Sequence, residues 1–172
     1  MKRYLPVIMG FLHFLITLTA SGCSRHDRNA PTNESASSTP RSTNRGPAAV
    51  RLVEAPLGDD VAKIIREATQ REKANGRPLV VYVGAPWCEP CQRFHQAVQN
   101  GELDTDFANL TLLEFNLDVD QQRLTKAGYT SNLIPLFVVP DADGHPTAAR
   151  FEGSTKGPTG VERITERLRT LM

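Results

Sequence analysis

Leu79-Val80-Val81-Tyr82-Val83-Gly84-Ala85-Pro86-Trp87-Cys88-Glu89-Pro90-Cys91 is the stretch on which the reading of this chain turns. Its first five residues are apolar throughout, β-rich and too short for a helix, which predicts a strand buried on both faces. A helix is expected next, over about Glu89 to Val98, with Asn100-Gly101 as its stop. Two residues between Cys88 and Cys91 on the first turn of that helix bring the sulfurs within bridging reach. The unpaired N–H groups of a helix start favour thiolate at the first position. Cys88 is therefore the candidate nucleophile, and Cys91, one turn deeper, the candidate resolving thiol.

Outward from this stretch, helical and strand periods alternate. Asp59 and Asp60 can cap a helix whose Val61, Ile64, Ile65 and Ala68 fall at helical spacing, with Asn75-Gly76 closing it. Downstream, Leu110 to Leu117 reads as a second central strand, and Leu133 to Val139 as another, interrupted near its start by Pro135. Pro140-Asp141-Ala142-Asp143-Gly144 is turn chemistry, so Thr147 to Glu152 is expected to return antiparallel. The clearest helix is the last: Thr159-Gly160-Val161-Glu162 reads as a capping box, and Val161, Ile164, Leu168 and Leu171 mark one face. This order predicts an α/β domain with a central mixed β-sheet flanked by helices on both faces.

The 172 residues carry 20 Lys+Arg against 19 Asp+Glu, a net charge of +1. That balance argues against nucleic acid as a partner. Residues 51–172 hold fourteen basic and seventeen acidic side chains and have the length of one domain. The first fifty residues read differently. Lys2 and Arg3 precede a run from Tyr4 to Ser24 without Asp, Glu, Lys or Arg, apolar over Leu5 to Ala20. A spanning helix needs roughly 20 apolar residues, and this shorter run is broken by Pro6, Gly10 and His13. Residues 1–22 therefore read as a cleaved export signal. Residues 24–49 contain no aromatic, Leu, Ile or Val, so 23–50 is expected to be a disordered tether reaching roughly 28 Å. Thr19-Ala20-Ser21-Gly22-Cys23 resembles the lipobox of bacterial lipoproteins, although Ala20 stands where Leu is usual. That resemblance implies lipidation at Cys23 and a lipoprotein anchored to a membrane surface, facing the periplasm or the cell exterior. A free thiol at Cys23 after ordinary signal cleavage, or an uncleaved anchor, are the alternatives.

Ala85-Pro86-Trp87-Cys88-Glu89-Pro90-Cys91 resembles the active site of the thioredoxin family, and Ile134-Pro135 at the head of a strand matches that family's cis-proline loop. The resemblance covers about residues 51–172. It implies a thioredoxin-like fold and thiol–disulfide oxidoreductase activity at a redox-active disulfide of Cys88 and Cys91, without a cofactor. Trp87, Glu89, Pro90, Ile134 and Pro135 would support the pair, with protein thiols and disulfides pairing along the backbone at Ile134. Pro90 and Ile134 are nearer the reducing branch than the oxidising one, which implies a reductant outside the cytosol fed by a membrane thiol donor. A disulfide oxidant or isomerase, or a non-catalytic or metal-binding module, are the alternatives.

The chain also departs from the family. Six residues before Cys88, where thioredoxin keeps a buried Asp as proton acceptor for the resolving thiol, stands Tyr82, a poor base at neutral pH. Glu114 takes the place of the accompanying Lys. Candidate acceptors are Glu114, His95 one turn beyond Cys91, Glu89 and water. Cys88, Cys91 and His95 are too few for a structural zinc site, and Arg150 stands where a calcium loop turning at Asp141, Asp143 and Gly144 would need an acid, so no metal is expected. Asp118 and Asp120 read as a strand-exit cap, and Glu162, Arg163, Glu166, Arg167 and Arg169 as the wet face of the last helix.

Overall fold

The computed structural model describes residues 48–58 and 60–172. The export signal, Cys23, all but the last three residues of the tether, and Asp59 lie outside them. The elements are β1 (Arg51–Glu54), α1 (Val61–Ala74), β2 (Leu79–Gly84), α2 (Glu89–Asn100), β3 (Thr111–Asn116), α3 (Leu117–Lys126), β4 (Leu136–Pro140), β5 (Pro146–Glu152) and α4 (Gly160–Leu171). They form one five-stranded sheet in the order β1-β3-β2-β4-β5. β1, β3 and β2 run parallel, whereas β4 is antiparallel to both β2 and β5. Mixed sheet, strand order and two helical layers are those of a thioredoxin-like fold.

β2 lies at the centre because every one of its six residues is apolar enough, or small enough, to be buried. Alternation along the strand then feeds two cores. Val80 and Tyr82 pack with Phe94 and Val98 of α2 and Ile164 and Leu168 of α4. Val81 and Val83 face the other way, onto Ile65 and Ala68 of α1 and Leu124 of α3. No helix among the described residues is long and apolar enough to cross a membrane.

Local detail departs from the sequence reading in several places. β1 and α3 had no counterpart in the sequence reading, because β1 is four residues with exposed ends and α3 buries little beyond Asp120 and Leu124. α3 is instead held at its start by hydrogen bonds. Asn116 Oδ1 accepts the N–H of Asp118, and Asp120 Oδ2 accepts the N–H of Asn116. β4 begins at Leu136 rather than Leu133; Pro135 has no N–H to give a ladder and contributes only its carbonyl, to Gly153 at 2.8 Å. Thr159 makes no side-chain cap, so the expected box at α4 does not form. Nor is the last face simply wet: Arg167 lies over the Phe151 ring and donates to the carbonyls of Glu152 and Gly153.

The packed domain also starts before residue 51. Ala49 and Val50 are buried; the Val50 N–H donates to Asp104, and the Ala49 carbonyl accepts from Arg77 at 2.7 Å. Arg77 is itself buried, bonded to Thr111 and the Leu110 carbonyl beside Glu72. Burial, then the charge of Arg51, lower its pKa, and Glu72 opposes them. Pairing is what keeps such a charge in the interior.

Candidate active site

Gly84 ends β2 at the C-terminal edge of the sheet, and five residues later α2 begins, so the turn between them carries Trp87 and Cys88. Cys88 is the N-cap of α2: its Sγ accepts the N–H of Cys91 at 3.3 Å, and Pro90 sits in the first turn, where no donor is needed. Cys88 and Cys91 form a disulfide with Cα atoms 5.2 Å apart. Both are buried. The helix is seated from below by Phe94, whose ring lies 5.5 Å from Tyr82 and 5.1 Å from Phe137, the latter edge-on.

The two sulfur-bearing residues line different cavities. Cys88 lines a groove of about 340 Å³ with Trp87, Leu117, Leu133, Ile134 and Lys156. The Ile134–Pro135 peptide bond is cis, matching the expectation from the sequence. Cys91 lines a separate cavity of about 500 Å³ with Tyr82, Gln92, His95, Glu114 and Asn116. There, His95 Nε2 and Glu114 Oε1 are 2.5 Å apart, so two candidates named separately from the sequence form one half-buried pair.

Tyr82 is wholly buried and its hydroxyl has no hydrogen-bond partner among the described residues. Burial, helped by the Glu114 carboxylate, pushes its pKa far above the ordinary phenol value. It stays neutral and takes no proton. Glu89 is placed elsewhere. Its carboxylate bonds Arg93 and the N–H of Gly157, and lines the Cys88 groove, not the cavity at Cys91. The Arg93 hydrogen bond foremost, with the Gly157 N–H and nearby positive charge, holds it below the usual carboxylate range.

Trp87 is 65% exposed, so it is not a packing residue. Its indole N–H donates to Asp118 at 2.9 Å, which fixes the ring at the rim of the groove. The sequence reading missed this role of Asp118, since nothing in local spacing links residues 31 apart. No metal-holding group of three or more His, Cys, Asp or Glu occurs among the described residues.

No protein-family model matches the chain, and no curated protein matches it. Among solved structures it is similar to a thioredoxin of Fasciola hepatica at 22% identity, covering 64% of this chain and 94% of that one with a TM-score of 0.45. Thioredoxin O1 of Arabidopsis thaliana is 19% identical, with 69% and 96% covered and a TM-score of 0.43. A Trichomonas vaginalis thioredoxin is 22% identical, with 73% and 98% covered and a TM-score of 0.40. The strand order and helix placement themselves define the fold as thioredoxin-like. Within it, a disulfide capping a helix at the sheet edge equips the chain for thiol–disulfide redox chemistry.

Gly84 makes this arrangement possible. A Cβ there would lie 2.6 Å from the Tyr82 hydroxyl and 2.9 Å from its ring carbon. Gly84→Ala must therefore displace the ring that supports α2, and we expect a loss of about 1–3 kcal/mol in urea unfolding, relieved only in part by Tyr82→Phe in the double variant, because the ring carbon clash remains.

Proposed function

We propose that this protein is a thiol–disulfide oxidoreductase that reduces protein disulfides outside the cytosol. The observation that carries the reading is the Cys88–Cys91 disulfide at the start of α2, with Cys88 sharing a groove with Ile134. In the reduced protein the Cys88 thiolate attacks one sulfur of a substrate disulfide, and the other substrate sulfur leaves as thiolate. Cys91 then attacks Cys88, releases the second substrate thiol and restores the internal disulfide. Two electrons pass to the substrate. Ile134, before Pro135, offers its backbone to an extended partner segment, and Trp87 closes one side.

This cycle ends oxidised, so a thiol donor must return the pair to its reduced form, and a membrane thiol protein is the donor class we assign. Cys23 is the proposed lipidation site, holding the domain on a membrane surface facing the periplasm or cell exterior. Support for the anchor comes from the sequence of residues 1–23. Metabolic labelling with an alkyne fatty acid should mark the wild-type chain and not Cys23→Ala; equal labelling of both would remove the anchor from this reading.

The reduction potential tests the direction. A value near about −270 mV fits a reductant, and one near about −120 mV reverses the assignment to an oxidant. Cys88→Ser should abolish turnover, whereas Cys91→Ser should accumulate the mixed disulfide on Cys88.

The Cys91 proton is assigned to the His95–Glu114 pair. The pair lines the cavity that Cys91 lines, and Tyr82, in the place of the family's acid, stays neutral. His95→Gln and Glu114→Gln should each slow resolution at pH 7 by about 10²-fold, with recovery as pH rises and Cys91 ionises unaided. An unchanged pH profile in both variants would leave bulk water as the acceptor.

A further inference from the structure

The Cys88 groove is lined by Lys156 and Glu89, and Asp118 stands behind its Trp87 rim. On the β3 side, Asp118 lies against the Trp87 indole, its oxygens taken by that N–H. On the β5 side, the segment Gly153–Thr159 supplies Gly153, Ser154 and Lys156 to the wall. In the sheet order β1-β3-β2-β4-β5, the residues that follow β3 and those that follow β5 flank the strand ends bearing Cys88 and Ile134. Asp118 and Lys156 therefore stand on opposite sides of the reacting sulfur.

The Lys156 wall is fastened at both of its approaches. Gly153, at φ +71°, donates its N–H to the Pro135 carbonyl, and a Cβ there would press to 3.0 Å on Leu133. Gly157 donates to the Glu89 carboxylate, between the two cysteines. Glu89 thus ties the segment carrying Lys156 to the redox helix. Its oxygens are occupied by Arg93 and Gly157, and Lys156 makes no salt bridge among the described residues. Two cations, Arg93 and Lys156, against one carboxylate, Glu89, leave this corner with a net positive charge.

Resting on the oxidoreductase reading above, we infer that Lys156 is a specificity-determining residue that selects partner segments bearing an acidic side chain beside the disulfide, on the flank away from Trp87. An extended partner pairing at Ile134 presents alternate side chains to the groove. An apolar one meets Trp87, Leu117 and Leu133, and an acidic one meets Lys156. An acid on the other flank meets Asp118 and is repelled, so the groove reads the orientation of the segment as well as its charge. Glu89 is a positioning residue for this selection, acting through the Gly157 N–H.

The test uses matched synthetic peptide disulfides that differ only in carrying Glu or Lys at the positions flanking the reacting cysteine, with kcat/KM measured for each. The full-length wild-type protein should favour the Glu peptide by about two- to five-fold, the range expected of an exposed charge pair. The preference should shrink as salt is raised. Lys156→Glu should invert it, an outcome that damage to the fold would not produce. Glu89→Ala should weaken the preference through KM, and Glu89→Gln, which keeps an acceptor for Gly157, should retain more of it. An equal preference in wild type and Lys156→Glu overturns the inference while leaving the oxidoreductase reading intact. Failure of the wild type to reduce either peptide, with no mixed disulfide on Cys88 in Cys91→Ser, overturns both.

Discussion

The redox turn depends on how the first residues of α2 are seated. Tyr82 of β2, Phe94 of α2 and Phe137 of β4 meet with ring centroids 5.1–5.5 Å apart, and Phe151 of β5 stacks on Phe137. Aromatic rings are stiff, with few torsions to freeze, and they bury large areas, so such a cluster holds a helix at a defined height above a sheet. Cys88 and Cys91 inherit that height. The turn preceding them is also braced from the side, by the Trp87–Asp118 hydrogen bond and by Glu89 on the Gly157 N–H. A helix start seated in this way presents its unpaired N–H groups to the Cys88 sulfur without local rearrangement, which is what a thiolate-forming site requires.

The two cysteines line different cavities. The groove at Cys88 is lined by Trp87, Leu117, Leu133 and Ile134, with Lys156 beside them. The cavity at Cys91 is lined by amides and the His95–Glu114 pair, around an unpartnered phenol. In the proposed cycle, substrate recognition and proton handling approach one disulfide from two sides. The Tyr82 hydroxyl has no hydrogen-bond partner among the described residues, and the acid–base pair proposed for Cys91 is half-buried instead.

Much of this was legible in the chain. The uniform apolar run of β2, the cysteine spacing and the turn residues at Asn100-Gly101 and Asp143-Gly144 each act through local chemistry, and each appears where local chemistry puts it. Ile134-Pro135 was legible only through resemblance. What escaped has a common cause. β1 owes its strand state to pairing with β3, α3 to two capping hydrogen bonds rather than an apolar face, and Asp118 to a partner far away in sequence. The capping box read at Thr159 fails for the opposite reason: the residue types are right, but the side chain makes no cap hydrogen bond, and Ser154 supplies a contact to the Gly160 carbonyl instead. His95 and Glu114 were each recognised singly, because a pairing between a helix and a neighbouring strand depends on register that no single segment contains.

The Arg77 clamp on Ala49 sets where the chain enters its own sheet. β1 starts at Arg51 and runs parallel to β2, toward the edge where Cys88 sits, so Ala49 and Val50 belong to the far pole. Ala49 thus sits at the opposite edge of the sheet from the sulfurs, about 13 Å or one strand's length away. Pinned there by the Arg77 guanidinium, Ala49 and Val50 stay clear of the groove that Cys88 lines.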